Sequence, residues 1–278
     1  MSSPPIQWYP GHIAKAERAL FEQLKRVDVV LEVRDARIPR ATHHPQVDQW
    51  IGTKGQVLVL NRTDMIPAQT RQQWTQWFRS HGQEPNFTDA QHGKGIEAVA
   101  DAVQEAGAQV NARRRDRGML PRPIRAVVIG FPNVGKSALI NRLLNRRVVD
   151  SARRAGITRQ LRWVRISDQI ELLDAPGVLP NKLTDQEAAI KLAICDDIGE
   201  AAYDNQRVAA SLVDLLKQLH YDRALEARYK VDAAELTGES YLQALAERKY
   251  KGDVERSARQ ILNDFRKGIL GTIALELP

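Results

Sequence analysis

The eight residues Gly130-Phe131-Pro132-Asn133-Val134-Gly135-Lys136-Ser137 have the types and the spacing needed to hold a phosphate group. They match G-x-x-x-x-G-K-[ST], in which glycines let the backbone pass close to a phosphate and direct its N–H groups at the oxygens. The pattern predicts that Lys136 contacts the β- and γ-phosphates of a nucleotide and that the Ser137 hydroxyl is a ligand for Mg²⁺. The residues expected to contact the nucleotide here are Asn133, Val134, Gly135, Lys136, Ser137 and Ala138.

The segments on either side of this loop are predicted to position it. Residues 124–129 form a near-continuous apolar run, which is typical of a buried parallel strand. Residues 136–145 place their apolar side chains on one face of a helix. Because a strand, a glycine loop and a helix in this order direct a helix N-terminus at an anion, we favour nucleotide binding over an ordinary glycine turn.

A second polar motif, Asn61-Arg62-Thr63-Asp64, follows the apolar run 57–60. Open α/β sheets bind their ligands at the end of a strand, which is where this motif is predicted to lie. The Asp64 carboxylate can accept two hydrogen bonds, from N1–H and the exocyclic N2–H₂ of guanine, and adenine offers no such pair of donors. The motif therefore predicts GTP in preference to ATP, and its alternative is an ordinary Asn/Asp turn.

A third motif, Asp174-Ala175-Pro176-Gly177, follows the predicted strand 170–173. Asp174 is expected to hold Mg²⁺ through water, and the Gly177 N–H is expected to meet the γ-phosphate. An ordinary Pro-Gly turn is the alternative. Thr158 lies between this motif and the phosphate loop, where a mobile segment can supply a threonine to Mg²⁺.

Asp89 and Ala90 complete a set of five elements expected of a guanine-nucleotide switch, with the Ala90 N–H predicted near the guanine O6. The order of the elements is unusual, because the base-reading motif precedes the phosphate loop. A cyclic permutation preserves such a site when the original termini lie close together. Residues 111–125, with six arginines and two prolines, are predicted to be the linker that joins them.

The order of predicted elements indicates two domains. Strands alternate with helices up to about residue 183, and only helical patterns follow. We expect an α/β domain over residues 1–185, with a mostly parallel sheet and helices on both faces, and a small all-helical domain over residues 186–278. The single cysteine, Cys195, excludes an internal disulfide and is predicted to be a core residue.

Charge is distributed unevenly between these two parts. Residues 1–185 carry 28 basic and 18 acidic residues, whereas residues 186–278 carry 13 and 16. A basic excess outside a nucleotide site favours contacts with RNA phosphates. The candidate contacts are Arg113, Arg114, Arg115, Arg117, Arg146, Arg147, Arg153 and Arg154, and a stripe on the predicted helix 253–267 formed by Arg256, Arg259, Asn263 and Arg266.

Together with residues 8–16 (WYPGHIAKA) and 35–39 (DARIP), these motifs resemble the circularly permuted GTPases of the YlqF/RbgA type over nearly the whole chain. The resemblance implies a factor that binds and hydrolyses GTP during late assembly of the large ribosomal subunit. It further implies GTP and GDP as substrate and product, Mg²⁺ as cofactor, and a precursor of the large subunit with its rRNA as partner. The sequence departs from the family pattern at Arg62, where lysine is usual, at Asp89, where serine is more usual, and at Ala155, where proline is common.

The residue after Gly177 is Val178, where many GTPases carry a glutamine that orients the attacking water. Valine has no hydrogen-bonding group, so another group must position the water. Asn133 resembles the asparagine that in related GTPases holds K⁺ against the phosphates. His12 could orient or activate water, or it could be only a polar residue at the start of a helix. The other histidines, at 43, 44, 81, 92 and 220, are expected at the surface.

We therefore expect slow intrinsic hydrolysis that rises with K⁺ and rises further on the ribosomal precursor. No apolar run approaches 18 residues, so no membrane span is predicted, and the lack of a leader favours a cytoplasmic protein that is monomeric away from the ribosome. Two alternatives remain open at this point. One is an RNA-binding module that nucleotide regulates, and the other is a GTPase acting on another RNA such as tRNA.

Overall fold

Six strands form one sheet in the order β3-β2-β1-β4-β6-β5. The computed structural model describes residues 6, 20–144, 162–174 and 183–278. The strands are β1 (Val29–Asp35), β2 (Gly55–Asn61), β3 (Pro85–Thr88), β4 (Ile124–Ile129), β5 (Arg162–Arg165) and β6 (Ile170–Asp174). All neighbouring pairs are parallel except β5 and β6, which are antiparallel.

The apolar runs identified in the sequence form the centre of this sheet. Every residue of β1 is buried, and β4 pairs with β1 on one side and β6 on the other. Because these strands are parallel, the loops that follow β1, β2 and β4 emerge at the same edge of the sheet, and β6 ends at that edge too. The phosphate loop follows β4 and the base-reading motif follows β2, so the topology brings both motifs to that edge.

The strand order confirms the predicted permutation. The strand before the phosphate loop is the fourth described strand in the chain but lies in the middle of the sheet, next to β1. The strand that carries the base-reading motif comes earlier in the chain and lies two positions away from it. The mostly parallel α/β sheet predicted from the sequence is therefore correct.

The described helices lie between the strands and then follow them. They are α1 (Val47–Ile51), α2 (Ala68–Ser80), α3 (Ile96–Asp116), α4 (Lys136–Leu143), α5 (Gln186–Cys195), α6 (Asn205–Gln218), α7 (Asp222–Tyr229), α8 (Gly238–Tyr250) and α9 (Val254–Arg266). Residues 20–24 are helical as well. Among the helices in the described ranges, none has the length and apolarity needed to cross a bilayer.

The predicted linker is partly helical, which corrects the expectation for residues 111–125. Helix α3 continues to Asp116 and includes Arg113, Arg114 and Arg115 in its last turn. Arginine is a good helix former, and its positive charge is favourable near the C-terminal end of a helix dipole. The chain leaves the helix through Gly118, whose φ is 68°. Only the remainder of the segment connects α3 to β4.

The helices after residue 185 pack on each other and on the sheet through one continuous apolar core. This core contains Leu31 of β1 and Val128 of β4 together with Leu192 of α5, Leu212 of α6 and Ile261 of α9. Cys195 is fully buried in it, as predicted.

Helix α9 carries the apolar face that the sequence predicts, but one member of the adjacent basic stripe has a different role. Arg256, Arg259 and Asn263 are exposed. The side chain of Arg266 is only 12% exposed, and it donates to backbone oxygens of α5 and to the Tyr203 hydroxyl. The predicted stripe therefore keeps three of its four residues at the surface.

The last residues of the chain return to the α/β part. The Ile273 N–H donates to Met65 O at 2.9 Å, and the Leu275 N–H donates to Arg37 O at 3.0 Å. The side chains of Ile273 and Leu275 are each 2% exposed. The C-terminal segment thus contacts both the loop after β1 and the turn that contains Asp64.

Candidate nucleotide-binding site

The phosphate loop joins β4 to α4, and two of its glycines have close neighbours that leave no room for a side chain. Gly135 has φ 98°, and a Cβ placed on it would lie 2.1 Å from Asn61 Nδ2. Gly130 has φ 151°, and a Cβ there would lie 2.2 Å from Val33 O. These contacts show why the pattern requires glycine at both positions: the loop passes directly over the ends of β1 and β2.

Lys136 lies within the curve of the loop. Its side chain is buried, and Nζ donates to Phe131 O at 2.7 Å and to Gly130 O at 3.1 Å. Ser137, which follows it in the first turn of α4, is half-buried. An ammonium group, a hydroxyl and the N–H groups of a helix N-terminus are the donors and ligands that a Mg²⁺-bound phosphate requires. The residues present therefore fit both the nucleotide phosphates and Mg²⁺.

Asn61 connects three of the predicted site elements. Its Nδ2 donates to Val134 O of the phosphate loop at 2.9 Å. Its Oδ1 accepts from Thr88 Oγ1 and from the Ala90 N–H, each at 3.0 Å. The base-reading motif, the phosphate loop and the loop after β3 are therefore held together by one buried side chain.

The contact between Ala90 and Asn61 differs from the sequence-based expectation for Ala90. The sequence predicts its N–H near the guanine O6, but the structure directs it to Asn61 Oδ1. This hydrogen bond holds Asn61 in place, and a contact of the Ala90 N–H with the guanine O6 stays a prediction. The residue remains beside the base-reading motif, as expected.

Arg62, which replaces the usual lysine, contacts two parts of the site. Its backbone has φ 66°, and its Nη2 donates to Asn133 O at 2.6 Å. Its Nε lies 3.4 Å from Asp35 Oδ2. The forked guanidinium group can hold both acceptors at once, which the single ammonium of a lysine does less well.

Asp64 is exposed and lies beside two other titratable groups. Its carboxylate, that of Asp89 and a ring nitrogen of His92 all lie within 4.8 Å of one another. Desolvation by neighbouring protein groups and the negative charge of Asp89 raise the pKa of Asp64 above its usual value. Because Asp64 is exposed, its carboxylate oxygens are open to hydrogen-bond donors from outside the protein.

His92 lies at the surface, as the sequence predicts, but it also contacts Asp89. It is exposed, but its Nδ1 lies 2.7 Å from Asp89 Oδ2, and its backbone N–H donates to Asp89 Oδ1 at 3.0 Å. The spacing of three residues from Asp89 is the signal that could have indicated this contact. The surface position predicted for His44 is wrong, because His44 is 3% exposed and its ring lies 4.3 Å from that of Trp50.

Asn133 connects the phosphate loop to the helical part of the chain. Its φ is 58°, and its Nδ2 donates to Asp196 O at 2.7 Å. Asp196 is the residue that directly follows α5. Since the amide nitrogen is the donor in this bond, Oδ1 is the atom that could face a cation.

A buried cluster that the sequence does not predict lies behind this contact. Asp35, Cys195 and Asp197 have ligand atoms within 4.8 Å of one another, and Arg37 lies among them with no exposed surface. Burial and the charge of Asp35 raise the pKa of Asp197 well above its usual value. The Asp197 oxygens have no hydrogen-bond partner within the described residues. Because Arg37 forms an ion pair with Asp35 and places its positive charge inside the cluster, we do not assign a metal ion to it.

Several predicted site residues lie outside the described ranges. They are His12, Thr158 and Gly177. Asp174 ends β6, and its backbone pairs with Val128 of β4, so its position in the chain lies next to the strand that leads into the phosphate loop. The structure therefore brings together Asn61, Arg62, Asp64, Asp89, Ala90 and residues 133–138.

Comparisons with known proteins agree with this geometry. A family model described as "50S ribosome-binding GTPase" matches residues 125–236. The protein named ribosome biogenesis GTPase A from Priestia megaterium is 34% identical over 98% of this chain and 97% of its own length. The protein of the same name from Thermotoga maritima is 26% identical over 98% of this chain and 95% of its own length.

Two solved structures have the same fold. The GDP-bound structure of TM YlqF has a TM-score of 0.65 and 23% identity, and covers 94% of this chain and 99% of that chain. The GNP-bound structure of YlqF from T. maritima has a TM-score of 0.66 and 22% identity, and covers 95% and 98%. The relative from P. megaterium is similar to this chain in sequence as well as in length. The chain therefore belongs to the ribosome biogenesis GTPase A family of GTP-hydrolysing enzymes.

Proposed function

We propose that this GTPase acts in late assembly of the large ribosomal subunit and that a precursor of that subunit stimulates its hydrolysis of GTP. The observation that carries the proposal is that Asn61 and Arg62 of the base-reading motif donate hydrogen bonds to the phosphate loop. The names of the full-length relatives supply the process. Our assignment of residues 1–185 to GTP and of residues 186–278 to rRNA belongs to the same proposal.

The residues of the chain would divide the work of binding as follows. Asp64 accepts the N1–H and N2–H₂ groups of guanine, while Asn61 and Arg62 keep that carboxylate in register with the phosphate loop. Lys136 and the N–H groups that begin α4 neutralise charge on the β- and γ-phosphates. Ser137, Thr158 and Asp174 would hold Mg²⁺, which when bound neutralises charge that develops on the phosphates. Gly177 would donate its N–H to the γ-phosphate.

Positioning of the attacking water would depend on groups other than Val178. We propose His12 and Asn133 for this role, the latter with a K⁺ ion at its Oδ1. The contact of Asn133 Nδ2 with Asp196 O supports the second part, since it fixes the orientation of the amide. A single cation supplied to the transferred phosphoryl group can raise the rate of hydrolysis by about 10³–10⁵.

We further propose that exposed arginines bind ribosomal RNA in the cytoplasm and that the protein is a monomer away from the ribosome. Arg113, Arg115 and Arg117 are exposed at the end of α3, and Arg256 and Arg259 are exposed on α9. Arg114 is half-buried and donates to Leu120 O at 2.9 Å, so it shapes the turn after α3. The arginines at 146, 147, 153 and 154 lie outside the described residues.

The experiment that tests the proposed function is GTP turnover, measured with and without large-subunit precursor particles. We expect turnover to rise by about two orders of magnitude or more with the particles, because they would complete the positioning of water and charge. Small-subunit particles and tRNA serve as controls. Stimulation by tRNA alone would assign the enzyme to another RNA, and unchanged turnover with all three would leave nucleotide only a regulatory role in RNA binding.

The role of K⁺ is tested in the same assay. We expect faster turnover in K⁺ buffer than in Na⁺ buffer of equal ionic strength, and we expect the Asn133→Ala variant to lose that difference. Equal rates in the two buffers would remove K⁺ from the mechanism and leave the rest of the proposal intact.

A further inference from the structure

The C-terminal turn of α5 is held by side chains from three other parts of the molecule. The donors are Arg266 for Ala193 O and Ile194 O, Arg37 for Cys195 O, and Asn133 for Asp196 O. The last four carbonyl groups of a helix lack partners within the helix, so they are available as acceptors. This turn therefore connects α9, the loop after β1 and the phosphate loop.

Arg37 is the most buried of these donors. Its Nε and Nη2 donate to Asp35 Oδ1 at 3.0 Å and Oδ2 at 2.7 Å, and Nη2 also donates to Cys195 O at 3.1 Å. Its guanidinium carbon lies 5.5 Å from the centre of the Phe265 ring on α9. Burial by itself would raise the pKa of Asp35, but the charges of Arg37 and Arg62 lower it, so the pair remains ionised.

The same ion pair extends to the phosphate loop. Asp35 Oδ2 lies 3.4 Å from Arg62 Nε, and Arg62 Nη2 donates to Asn133 O at 2.6 Å. Asn133 is thus held at its carbonyl by Arg62 and at its side chain by Asp196 O. Its φ of 58° is uncommon for a residue other than glycine, and such a conformation persists where the surroundings hold it.

We propose that Arg37 is a positioning residue for GTP hydrolysis. It fixes the C-terminal turn of α5 and the Asp35–Arg62 pair against the phosphate loop, and through both it sets the orientation of Asn133. The inference rests on the proposed role of Asn133 in hydrolysis.

The test compares Arg37→Met with Arg34→Met. Arg34 is a matched control, because it is also buried in the same segment and also forms a two-point ion pair, with Glu32 at 2.8 Å. Its other contacts are with Pro39 O and the Phe78 ring. We expect Arg37→Met to lower kcat at saturating GTP by about tenfold or more, since small displacements of a catalytic group have large effects. Arg34→Met should lower kcat by less than about threefold, and KM should change by less than about threefold in both variants.

A double-mutant cycle then tests whether Arg37 acts through Asn133. In an Asn133→Ala background, Arg37→Met should lower kcat no further, because residues that act as a unit are not additive. Multiplicative losses, or equal losses in Arg37→Met and Arg34→Met, would overturn the inference. Arg37→Lys keeps a charge beside Asp35 but lacks the forked donor for Cys195 O. It should also lower kcat, and it serves as the test if Arg37→Met does not fold.

The two proposals fail in different ways in this experiment. If Asn133→Ala keeps full kcat, both the catalytic role of Asn133 and the inference about Arg37 are wrong. If Asn133→Ala lowers kcat and neither Arg37 variant does, only the inference about Arg37 is wrong.

Discussion

We propose that the choice of nucleotide depends on Asp64. It lies three residues beyond Asn61, whose amide nitrogen donates to the phosphate loop at 2.9 Å. The carboxylate that we propose contacts the base is therefore close in the chain to a side chain hydrogen-bonded to the phosphate loop. Selectivity for guanine should follow the hydrogen-bonding capacity of this one side chain.

Replacing Asp64 with asparagine should shift the preference of the protein from GTP to xanthosine triphosphate. The asparagine amide would present an N–H₂ donor where guanine also presents donors, so GTP affinity should fall about 100-fold or more, as two charge-assisted hydrogen bonds are lost. Xanthosine triphosphate carries an acceptor at C2 and should bind the variant better than GTP. Competition binding with GTP, ATP and xanthosine triphosphate measures this, and an Asp64→Asn variant that still prefers GTP would contradict the assignment.

At the scale of single residues, the sequence predicts those side chains whose partners are fixed by a motif. Lys136, Ser137 and Asn61 belong to this group, and the structure places all three at one edge of the sheet. The contacts of Arg37 with Cys195 and of Asn133 with Asp196 could not be predicted, because they join residues far apart in the chain. The packing of α5 on the sheet creates them, and no local pattern encodes that packing.

The phosphate loop illustrates how an element, and not a single side chain, builds the site. It fits against the ends of β1 and β2 only because Gly130 and Gly135 lack a Cβ. Its shape is therefore set by the ends of its neighbouring strands as well as by its own sequence.

A pair of glycine substitutions separates backbone strain from steric conflict. In Gly135→Ala, φ of 98° and the contact with Asn61 Nδ2 should together abolish tight nucleotide binding. Gly118→Ala is the matched control, because Gly118 has φ 68° and nothing lies within 4 Å of the position that a methyl group would take. We expect Gly118→Ala to lose about 1 kcal/mol of stability and to bind GDP normally. Calorimetry of GDP binding to both variants checks this, and equal binding by the two would refute the steric argument.

At the scale of elements, the sequence-based prediction is accurate where the apolar period is strong. The predicted strand 124–129 agrees with β4 (Ile124–Ile129), and the predicted helix 253–267 agrees with α9 to within a residue at each end. The prediction of a linker is wrong at residues 111–116, where the run of arginines is helical. A run of arginines is compatible both with the exposed end of a helix and with an irregular connection. Charge alone therefore does not predict which of the two this segment forms.

At the scale of the whole molecule, the C-terminal segment, residues 273–276, packs against the α/β part of the chain. The carbonyl of Glu276 accepts from Trp74 Nε1 at 3.4 Å, and its carboxylate accepts from the Arg40 N–H at 2.7 Å. Leu275 is buried next to these contacts, whereas Leu277 is 50% exposed. This segment should therefore contribute to the stability of both parts of the chain.

The contribution can be measured with two leucine substitutions. Leu275→Ala should lower the free energy of unfolding by about 2–5 kcal/mol, as a buried leucine does when it leaves a cavity. Leu277→Ala should change it by less than about 0.5 kcal/mol, because the side chain is already in solvent. Urea denaturation of both variants provides the comparison. Similar values for the two would show that the C-terminal segment is not packed as described.

We propose that GTP bound by the phosphate loop and the base-reading motif also strengthens association of the protein with a large-subunit precursor. The most direct measurement is co-sedimentation of the protein with purified precursor particles, in the presence of either GDP or a non-hydrolysable GTP analogue. We expect the GTP analogue to raise the affinity about tenfold, a coupling typical of linked binding sites, and we expect Lys136→Ala to remove the difference. Equal sedimentation with the two nucleotides would contradict the claim.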